Sequence, residues 1–264
     1  MHVEASVNYH VTAPGRQAFH IDAGGVEGKF VSPVLVPTSV SVLDLRDGQT
    51  TVDFQNDSVV FVDNPSSVVD FGADGGWKPE YDLHLTELLK EQIGAEDVLV
   101  FDHTVRVDDP ASGRKPARNV HSDYSETGAR QRLVDLVGET EAEVWDEGHF
   151  GFVNVWRPVK APIMSAPLGF VRPRSVAKED WVLLDLIYPD RTGQIMGLVN
   201  AAGHEWVYLS RMRPDEVAIF NIFDNKGLAS IAHSALDRVE NGGLGSVRMS
   251  IESRTLVRYA DRDT

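Results

Sequence analysis

A dense succession of short β-strand patterns fills the second half of the chain, and this feature restricts the fold more than any other. From residue 150 onwards, segments rich in β-branched and aromatic residues alternate with turn-forming segments. The predicted strands are GFVNVWRPV, DWVLLDLIY, QIMGLVN, EWVYLSRM, EVAIFNIFD, ASIAHSAL and SVRMSIESRTLVRY, with turns at PDRTG, NAAGH, RPDE, NKG and NGGLG. Many strands at short spacing favour a barrel or sandwich over an alternating βαβ fold.

The first half of the chain combines strand patterns with two helix patterns. Apolar residues at three-to-four spacing over 82–94 predict a helix that ends at Gly94, and 126–138 predicts a second amphipathic helix. Residues 1–35 mix polar residues with Gly and Pro, so we expect an irregular N-terminal arm. Further strands are predicted at 39–45, 50–55, 58–63 and 97–107. Because no domain boundary is visible, we predict one domain over 1–264, mainly β with flanking helices (α+β).

Composition and charge exclude several classes of function. The chain has no Cys, so it cannot form disulfides, an Fe–S cluster or a thiolate nucleophile, and any metal must be held by His, Asp, Glu or oxygen ligands. A net charge of −15 would repel a phosphate backbone, so we expect no nucleic-acid partner. No signal peptide and no apolar run of about 20 residues is visible, which predicts a cytoplasmic protein with no membrane partner. The oligomeric state is left open.

The segment NVHSDYS (119–125) contains the sharpest local motif, an H-x-D pair formed by His121 and Asp123. At a strand end, residues two apart point to the same face, so one imidazole and one carboxylate would point together into a barrel. The pair alone is also compatible with a surface turn. His233, in a predicted late strand, completes the two histidines and one carboxylate that hold Fe(II) in non-haem oxygenases. The alternatives are a buried core histidine at 233 and His103 as a competing ligand.

An R-x-S pair, Arg248 and Ser250, follows His233 after fifteen residues. The two side chains would share one strand face, where a guanidinium fork and a hydroxyl can hold a carboxylate. This pair would anchor the distal carboxylate of 2-oxoglutarate. Arg254 has the same strand parity and could take the role of Arg248, and a strand-face ion pair is the alternative for Arg248.

Five further residues are candidates for binding at the same site. Asn154 is a candidate hydrogen-bond donor to 2-oxoglutarate, and Arg157 is a candidate partner for a carboxylate or a brace of the sheet. On a strand, Asn154 and Trp156 would share a face and Arg157 would point the other way. Trp156, Tyr208 and Tyr124 are candidate substrate-binding residues, and core packing is the alternative for the aromatic side chains.

Several sequence blocks occur in order along the chain: IGAEDVLVFDHTVR, NVHSDYS, FGFVNVWRPVKAPI, APLGFV, HEWVYLSRMRPDEVAIFNIFD, IAHSAL and SVRMSIESRTLV. With these blocks the chain resembles the CmcJ/AsaB-like family of hydroxylases and desaturases, which are 2-oxoglutarate-dependent oxygenases of secondary metabolism. The resemblance covers roughly 95–256 and implies a catalytic double-stranded β-helix (jelly-roll) core there, with His121, Asp123 and His233 as catalytic iron ligands. Where the family usually has Pro-Leu-Ala and an acidic residue, this chain has PLGF (167–170), a departure that bears on the substrate more than on the metal.

The resemblance implies an enzyme that uses Fe(II), 2-oxoglutarate and O₂. It would hydroxylate or desaturate a small secondary metabolite by hydrogen abstraction. Two alternatives are a cupin-like jelly-roll binding protein without redox chemistry and an iron oxidase that does not use 2-oxoglutarate. The chain has no dinucleotide loop, phosphate loop, nucleophile elbow or H-E-x-x-H zinc helix, so other common chemistries lack support.

Overall fold

Two β-sheets form the frame of the molecule. A computed structural model describes residues 1–26, 29–240 and 247–260, so the turn predicted at NGGLG (241–245) lies outside the described residues. The strands of this part are β1 His2–His10, β2 Gln17–Ile21, β3 Phe30–Val31, β4 Leu35–Asp44, β5 Val59–Asp63, β6 Ala95–Val107, β7 His121–Ser122, β8 His149–Pro158, β9 Leu168–Val171, β10 Trp181–Ile187, β11 Thr192–Leu198, β12 Trp206–Tyr208, β13 Glu216–Asp224, β14 Ala232–Ala235 and β15 Met249–Tyr259. The α-helices are α1 Phe54–Asp57, α2 Lys78–Ile93, α3 Glu126–Val137 and α4 Glu139–Glu147.

The larger sheet has the strand order β1-β4-β12-β9-β14-β7-β11-β10-β2-β3, and the smaller has the order β5-β13-β8-β15-β6. Most pairs are antiparallel, while β12 with β4 and β10 with β2 are parallel. Consecutive strands of the second half often lie in different sheets, as β13 and β14 do. The predicted mainly-β architecture with flanking helices is therefore confirmed.

Apolar side chains from both sheets meet in the space between them. Phe170 on β9 and Phe220 on β13 have ring centroids 5.0 Å apart, and Trp156 on β8 belongs to the same buried cluster. This packing follows from alternation, because every second residue of β8, β13 and β15 points to the interior. The interior of this sandwich contains the polar residues described below.

Helix α2 covers the outer face of the smaller sheet. Its buried face, which includes Leu85 and Leu89, packs against outward residues such as Val155 and Ile251. The helix ends where the sequence predicts, because Gly94 adopts a left-handed conformation with φ 72° and caps it. Among the described residues, no helix combines the length and the apolar character needed to cross a membrane.

Three segments differ from the sequence predictions. Residues 1–35 are not an irregular arm, because β1 pairs along its whole length with β4 and buries alternate side chains such as Val7 and Tyr9. The segment 50–55 is not a strand, because the Asp53 side chain accepts a hydrogen bond from the Asn56 N–H and starts α1. A separate helix, α4, follows α3 directly.

Gly197 provides a stability prediction next to the strand that carries His121. The two residues are Cα partners in the β11–β7 pair, and a Cβ at 197 would lie 2.5 Å from Cδ2 of His10 and 2.7 Å from Cδ1 of Leu184. Overpacking of this kind typically costs about 1–3 kcal/mol. Gly197→Ala should therefore lower the free energy of unfolding by about that amount, as measured by urea denaturation. Gly113→Ala, where a Cβ meets no atom within 4 Å, is the control and should leave it unchanged.

Candidate metal centre

Three side chains with metal-ligating atoms converge between the two sheets. His121 on β7 and His233 on β14 are Cα partners in neighbouring strands, and their ring centroids are 4.5 Å apart. Asp123 follows two residues after His121, and one ligand atom from each of the three residues lies within 4.8 Å of the others. Strand pairing thus brings these three residues together, as the sequence predicts.

Backbone carbonyls orient both imidazoles. Nδ1 of His121 lies 2.8 Å from the Asn119 carbonyl oxygen, and Nδ1 of His233 lies 3.4 Å from that of Ile231. A carbonyl oxygen only accepts, so each Nδ1 donates its N–H, and Nε2 is the ring atom that is left to bind a metal. Nε2 of His121 lies 3.4 Å from Asp123 Oδ1, so these two ligand atoms face the same space.

Asp123 is held from the opposite sheet by two donors. Its Oδ2 accepts a hydrogen bond of 2.8 Å from Nδ2 of Asn154 and one of 3.2 Å from Nε of Arg254. Burial on its own would raise the pKa of Asp123, but the charge of Arg254 outweighs it and holds this pKa well below its usual range. The carboxylate is therefore ionised at neutral pH.

The electrostatic state of the three side chains suits a divalent metal ion. Burial, reinforced by the neighbouring His121, lowers the pKa of His233 to about 4, so this ring is neutral at physiological pH. Metal binding requires neutral imidazoles and an ionised carboxylate, and His233 and Asp123 meet this requirement. Two imidazoles and one carboxylate on one side of an ion match the donor set that holds non-haem Fe(II), so the residues present fit this metal.

Asn154 should tune the metal affinity without contacting the metal, because it orients Asp123 from β8. Loss of such an outer partner typically costs about 10–100-fold in metal affinity or activity. Asn154→Ala should therefore weaken anaerobic Fe(II) binding by about tenfold, as measured by isothermal titration calorimetry. An unchanged affinity would show that Arg254 alone orients Asp123.

Arg254 is fully engaged by protein partners. Nη1 donates to Oδ2 of Asp102 at 2.7 Å and to the Thr104 hydroxyl at 3.1 Å, and Nη2 donates to Glu252. Burial would lower the pKa of Arg254, but Glu252, Asp123 and Asp102 raise it well above its ordinary value. This side chain therefore braces the metal centre and has little capacity left to hold a co-substrate.

Arg248 differs from Arg254 because it has few partners. Its Nη1 donates to the Ala166 carbonyl at 2.6 Å and its Nη2 to the Ser250 hydroxyl at 3.2 Å, and its guanidinium lies over the Trp156 ring at 5.2 Å. Its Nε is buried without a partner among the described residues. Burial and the nearby Arg106 lower its pKa to about 9, so the cation is retained at neutral pH, and no carboxylate of the described ranges pairs with it. Such a buried cation is suited to an incoming anion.

A cavity of about 840 Å³ lies beside the three converging side chains. Its walls include His121, Asp123, Arg254 and Tyr124, which the sequence predicts to bind substrate. Burial, with a smaller effect of Asp123, raises the pKa of Tyr124 to about 12, so its hydroxyl stays protonated. The volume is in the range typical of small-molecule sites.

Two predicted substrate-binding residues lie elsewhere. Arg157 points to the outer face of the smaller sheet, where its guanidinium donates to the carbonyls of Asn64 at 2.5 Å and Pro214 at 2.9 Å. Tyr208 belongs to a separate buried cluster, and its hydroxyl donates to Glu240 at 3.1 Å. Both side chains point away from the metal centre. We therefore correct the prediction that they bind substrate and assign them to packing of the fold. His103, the competing ligand, contacts Asp82 and Ser253 on the outer face.

Sequence reasoning missed the acidic residues that surround Arg254. Glu252 is 6% exposed and lies on the inner face of β15 between Arg248 and Arg254. Its strand parity is the same as theirs, so alternation could have identified it. Asp102 is the partner of Arg254 in the β15–β6 register, and no sequence signal indicates that pairing.

Comparisons with known proteins cover nearly the whole chain. A family model described as an oxidoreductase/YMDC permease-like domain matches residues 8–258. The hydroxylase/desaturase efuI of Hormonema carpetanum is 32% identical over 216 residues, which cover 70% of this chain and 72% of efuI. The alpha-ketoglutarate-dependent dioxygenase phiK of Fungal sp. is 29% identical over 274 residues, which cover 97% of this chain and 96% of phiK.

A solved structure has the same fold. The iron and alpha-ketoglutarate-dependent endoperoxidase NvfI superposes with a TM-score of 0.86 at 24% sequence identity, and the match covers 98% of both chains. At this identity the likeness is one of fold. It confirms the predicted jelly-roll core.

Proposed function

We propose, from the premise that this chain belongs to the oxidoreductase/YMDC permease-like domain family together with the hydroxylase/desaturase efuI, that it is an Fe(II)/2-oxoglutarate-dependent oxygenase. The resemblance to hydroxylases and desaturases predicted from the sequence agrees with the names of these relatives. The observation that carries the proposal is the convergence of His121, Asp123 and His233 beside a cavity. The reaction would be hydroxylation or desaturation of a small secondary metabolite.

His121, Asp123 and His233 would hold the iron through two Nε2 atoms and one carboxylate. Iron bound with 2-oxoglutarate and O₂ supplies the oxidising power that breaks a substrate C–H bond. The protein contributes the orientation of the ligands: the Asn119 carbonyl fixes the His121 ring, and Asn154 fixes Asp123. Because these partners are already in place, metal binding requires little rearrangement.

Arg248 and Ser250 would hold the distal carboxylate of 2-oxoglutarate. The support for this assignment is the buried guanidinium of Arg248, which has an unpartnered Nε and no paired carboxylate among the described residues. An incoming carboxylate would compensate this charge, and the Trp156 ring would keep the guanidinium plane in place. The buried walls would also exclude water from the reacting groups.

Anaerobic titration with Fe(II) and 2-oxoglutarate tests the proposal. The expected result is a weak visible charge-transfer band that appears only when metal and 2-oxoglutarate are both present. Iron binding without the band would instead favour the oxidase that does not use 2-oxoglutarate. Failure to bind iron would favour the jelly-roll binding protein.

A further inference from the structure

The cavity beside the metal centre has a charge opposite to that of the whole chain. Among the described residues, six arginines and four aspartates line it, and no lysine or glutamate does. Two of the four aspartates, Asp123 and Asp102, are bound to Arg254. The chain as a whole carries −15. A cationic cavity in an acidic protein indicates selection for an anionic ligand, because the surrounding charge would otherwise repel it.

Four of the cavity arginines have no carboxylate partner in the part of the chain that the structure describes. Arg254 is compensated by its acidic neighbours, and Arg16 pairs with Asp185 at 3.5 Å. Within the described ranges, no carboxylate lies at ion-pair distance from the other four, which are Arg106, Arg114, Arg132 and Arg191. Their charges are therefore available to a molecule that enters the cavity.

Arg132 is the best placed of these four. It lies on α3, it is half-buried, and its guanidinium carbon lies 4.7 Å from the centroid of the Phe101 ring. It also contacts the side chain of Tyr124, the residue that follows Asp123. Stacking on Phe101 restricts the guanidinium plane and leaves in-plane N–H groups for a planar anion. Arg191 is held in a similar way over the Tyr188 ring at 4.3 Å.

Part of the remaining lining of the cavity is apolar. Phe19, Phe101 and Ile195 line it, and Phe19 and Ile195 are nearly fully buried. These surfaces suit a carbon skeleton, and the volume of about 840 Å³ suits a molecule of drug size.

We propose that the substrate is a small molecule with an apolar body and a carboxylate, and that Arg132 binds this carboxylate with help from Arg191. The proposal rests on the proposed function, because it places the substrate in the cavity beside the proposed iron ligands. A bidentate guanidinium–carboxylate pair would compensate the charge of Arg132 and hold the molecule in one orientation. The apolar body would then lie against Phe101 next to Asp123 and His121.

A matched pair of probes tests this assignment without knowledge of the natural substrate. The probes are 4-phenylbutanoate and its uncharged amide, 4-phenylbutanamide, titrated calorimetrically against the metal-free protein and against the protein saturated with Fe(II) and 2-oxoglutarate under anaerobic conditions. Saturating 2-oxoglutarate keeps the probe away from Arg248. We expect the acid to bind wild type at least about tenfold more tightly than the amide, because hydrogen bonds to charged groups are stronger.

Two variants on helix α3 distinguish the specific effect of Arg132 from the general effect of removing one positive charge. Arg132→Gln should bring the affinity for the acid down to that for the amide. Arg130→Gln removes the same charge from α3 at an exposed position, where Arg130 pairs with Asp146 and Glu126, and it should keep the wild-type preference. Arg191→Gln should lower the preference partially, and it serves as the second variant if Arg132→Gln does not fold.

Three results would overturn the assignment: equal binding of acid and amide, no binding of either probe, or equal loss in Arg130→Gln and Arg132→Gln. None of them bears on the proposed function, which is judged by the charge-transfer band of the Fe(II)–2-oxoglutarate complex. If that band is absent, the titrations of the metal-free protein still decide whether the cavity selects carboxylates.

Discussion

Asp123→Ala should abolish turnover and reduce Fe(II) binding to the level of non-specific binding. The substitution removes the one anionic ligand among the three converging side chains. Loss of an outer-shell partner alone typically costs about 10–100-fold in metal affinity or activity, so loss of a ligand should cost more than about 100-fold. Anaerobic Fe(II) titration and 2-oxoglutarate consumption with O₂ would measure the two effects.

The fold should survive this substitution, which makes the result interpretable. Arg254 keeps Asp102 and Glu252 as partners when Asp123 is removed, so its charge stays compensated. Asp185→Ala is the matched control, because Asp185 lines the same cavity and has the same charge but pairs with Arg16. Full activity of Asp123→Ala, or an equal loss in both variants, would contradict the assignment of Asp123 as a metal ligand.

Arg248→Gln should raise the KM for 2-oxoglutarate strongly and leave Fe(II) affinity nearly unchanged. The guanidinium is buried, and among the described residues it makes two hydrogen bonds and has no partner for Nε. Hydrogen bonds to a charged group contribute about 1.5–3 kcal/mol, so we expect a rise in KM of about 10- to 100-fold. Steady-state kinetics with varied 2-oxoglutarate and anaerobic Fe(II) titration would measure both quantities.

Arg254→Gln distinguishes the two arginines that the sequence left as alternatives. Arg254 contacts Asp123, Asp102 and Glu252, so its loss should weaken Fe(II) binding and lower stability more than it changes the KM for 2-oxoglutarate. The opposite pattern, with 2-oxoglutarate affinity lost in Arg254→Gln and kept in Arg248→Gln, would move the anchor to Arg254.

Local patterns predicted the elements that carry the site. Period-two alternation on β15 and the residue before it correctly placed Arg248, Ser250 and Arg254 on one face, and the same rule separated Arg157 from Asn154 and Trp156. Alternation cannot say which of two faces is interior, because that depends on what packs against each face. This is why Arg157, on the α2 side, was a false candidate.

The N-terminal strands were missed for a different reason. β1 is stabilised by β4, whose residues lie about 30 positions further along the chain, and β2 pairs with β10 from the second half. Pairing over such separations leaves no local signal beyond weak alternation, and the polar residues and prolines around it favoured an irregular assignment.

The sequence by itself determined the chemical identity of the proposed metal ligands, the mainly β architecture and the absence of thiol chemistry, because these depend on residue types and on periodicity along one strand. Only the tertiary structure decided that Arg254 forms ion pairs with Asp123, Asp102 and Glu252, while Arg248 stays available to bind an anion. It also decided that arginines without a carboxylate partner in the described ranges line the cavity. Such pairings depend on which strands become neighbours across two sheets. Which strands become neighbours depends on the packing of the whole chain. The number of unpaired arginine charges at the site therefore cannot be derived from the sequence alone.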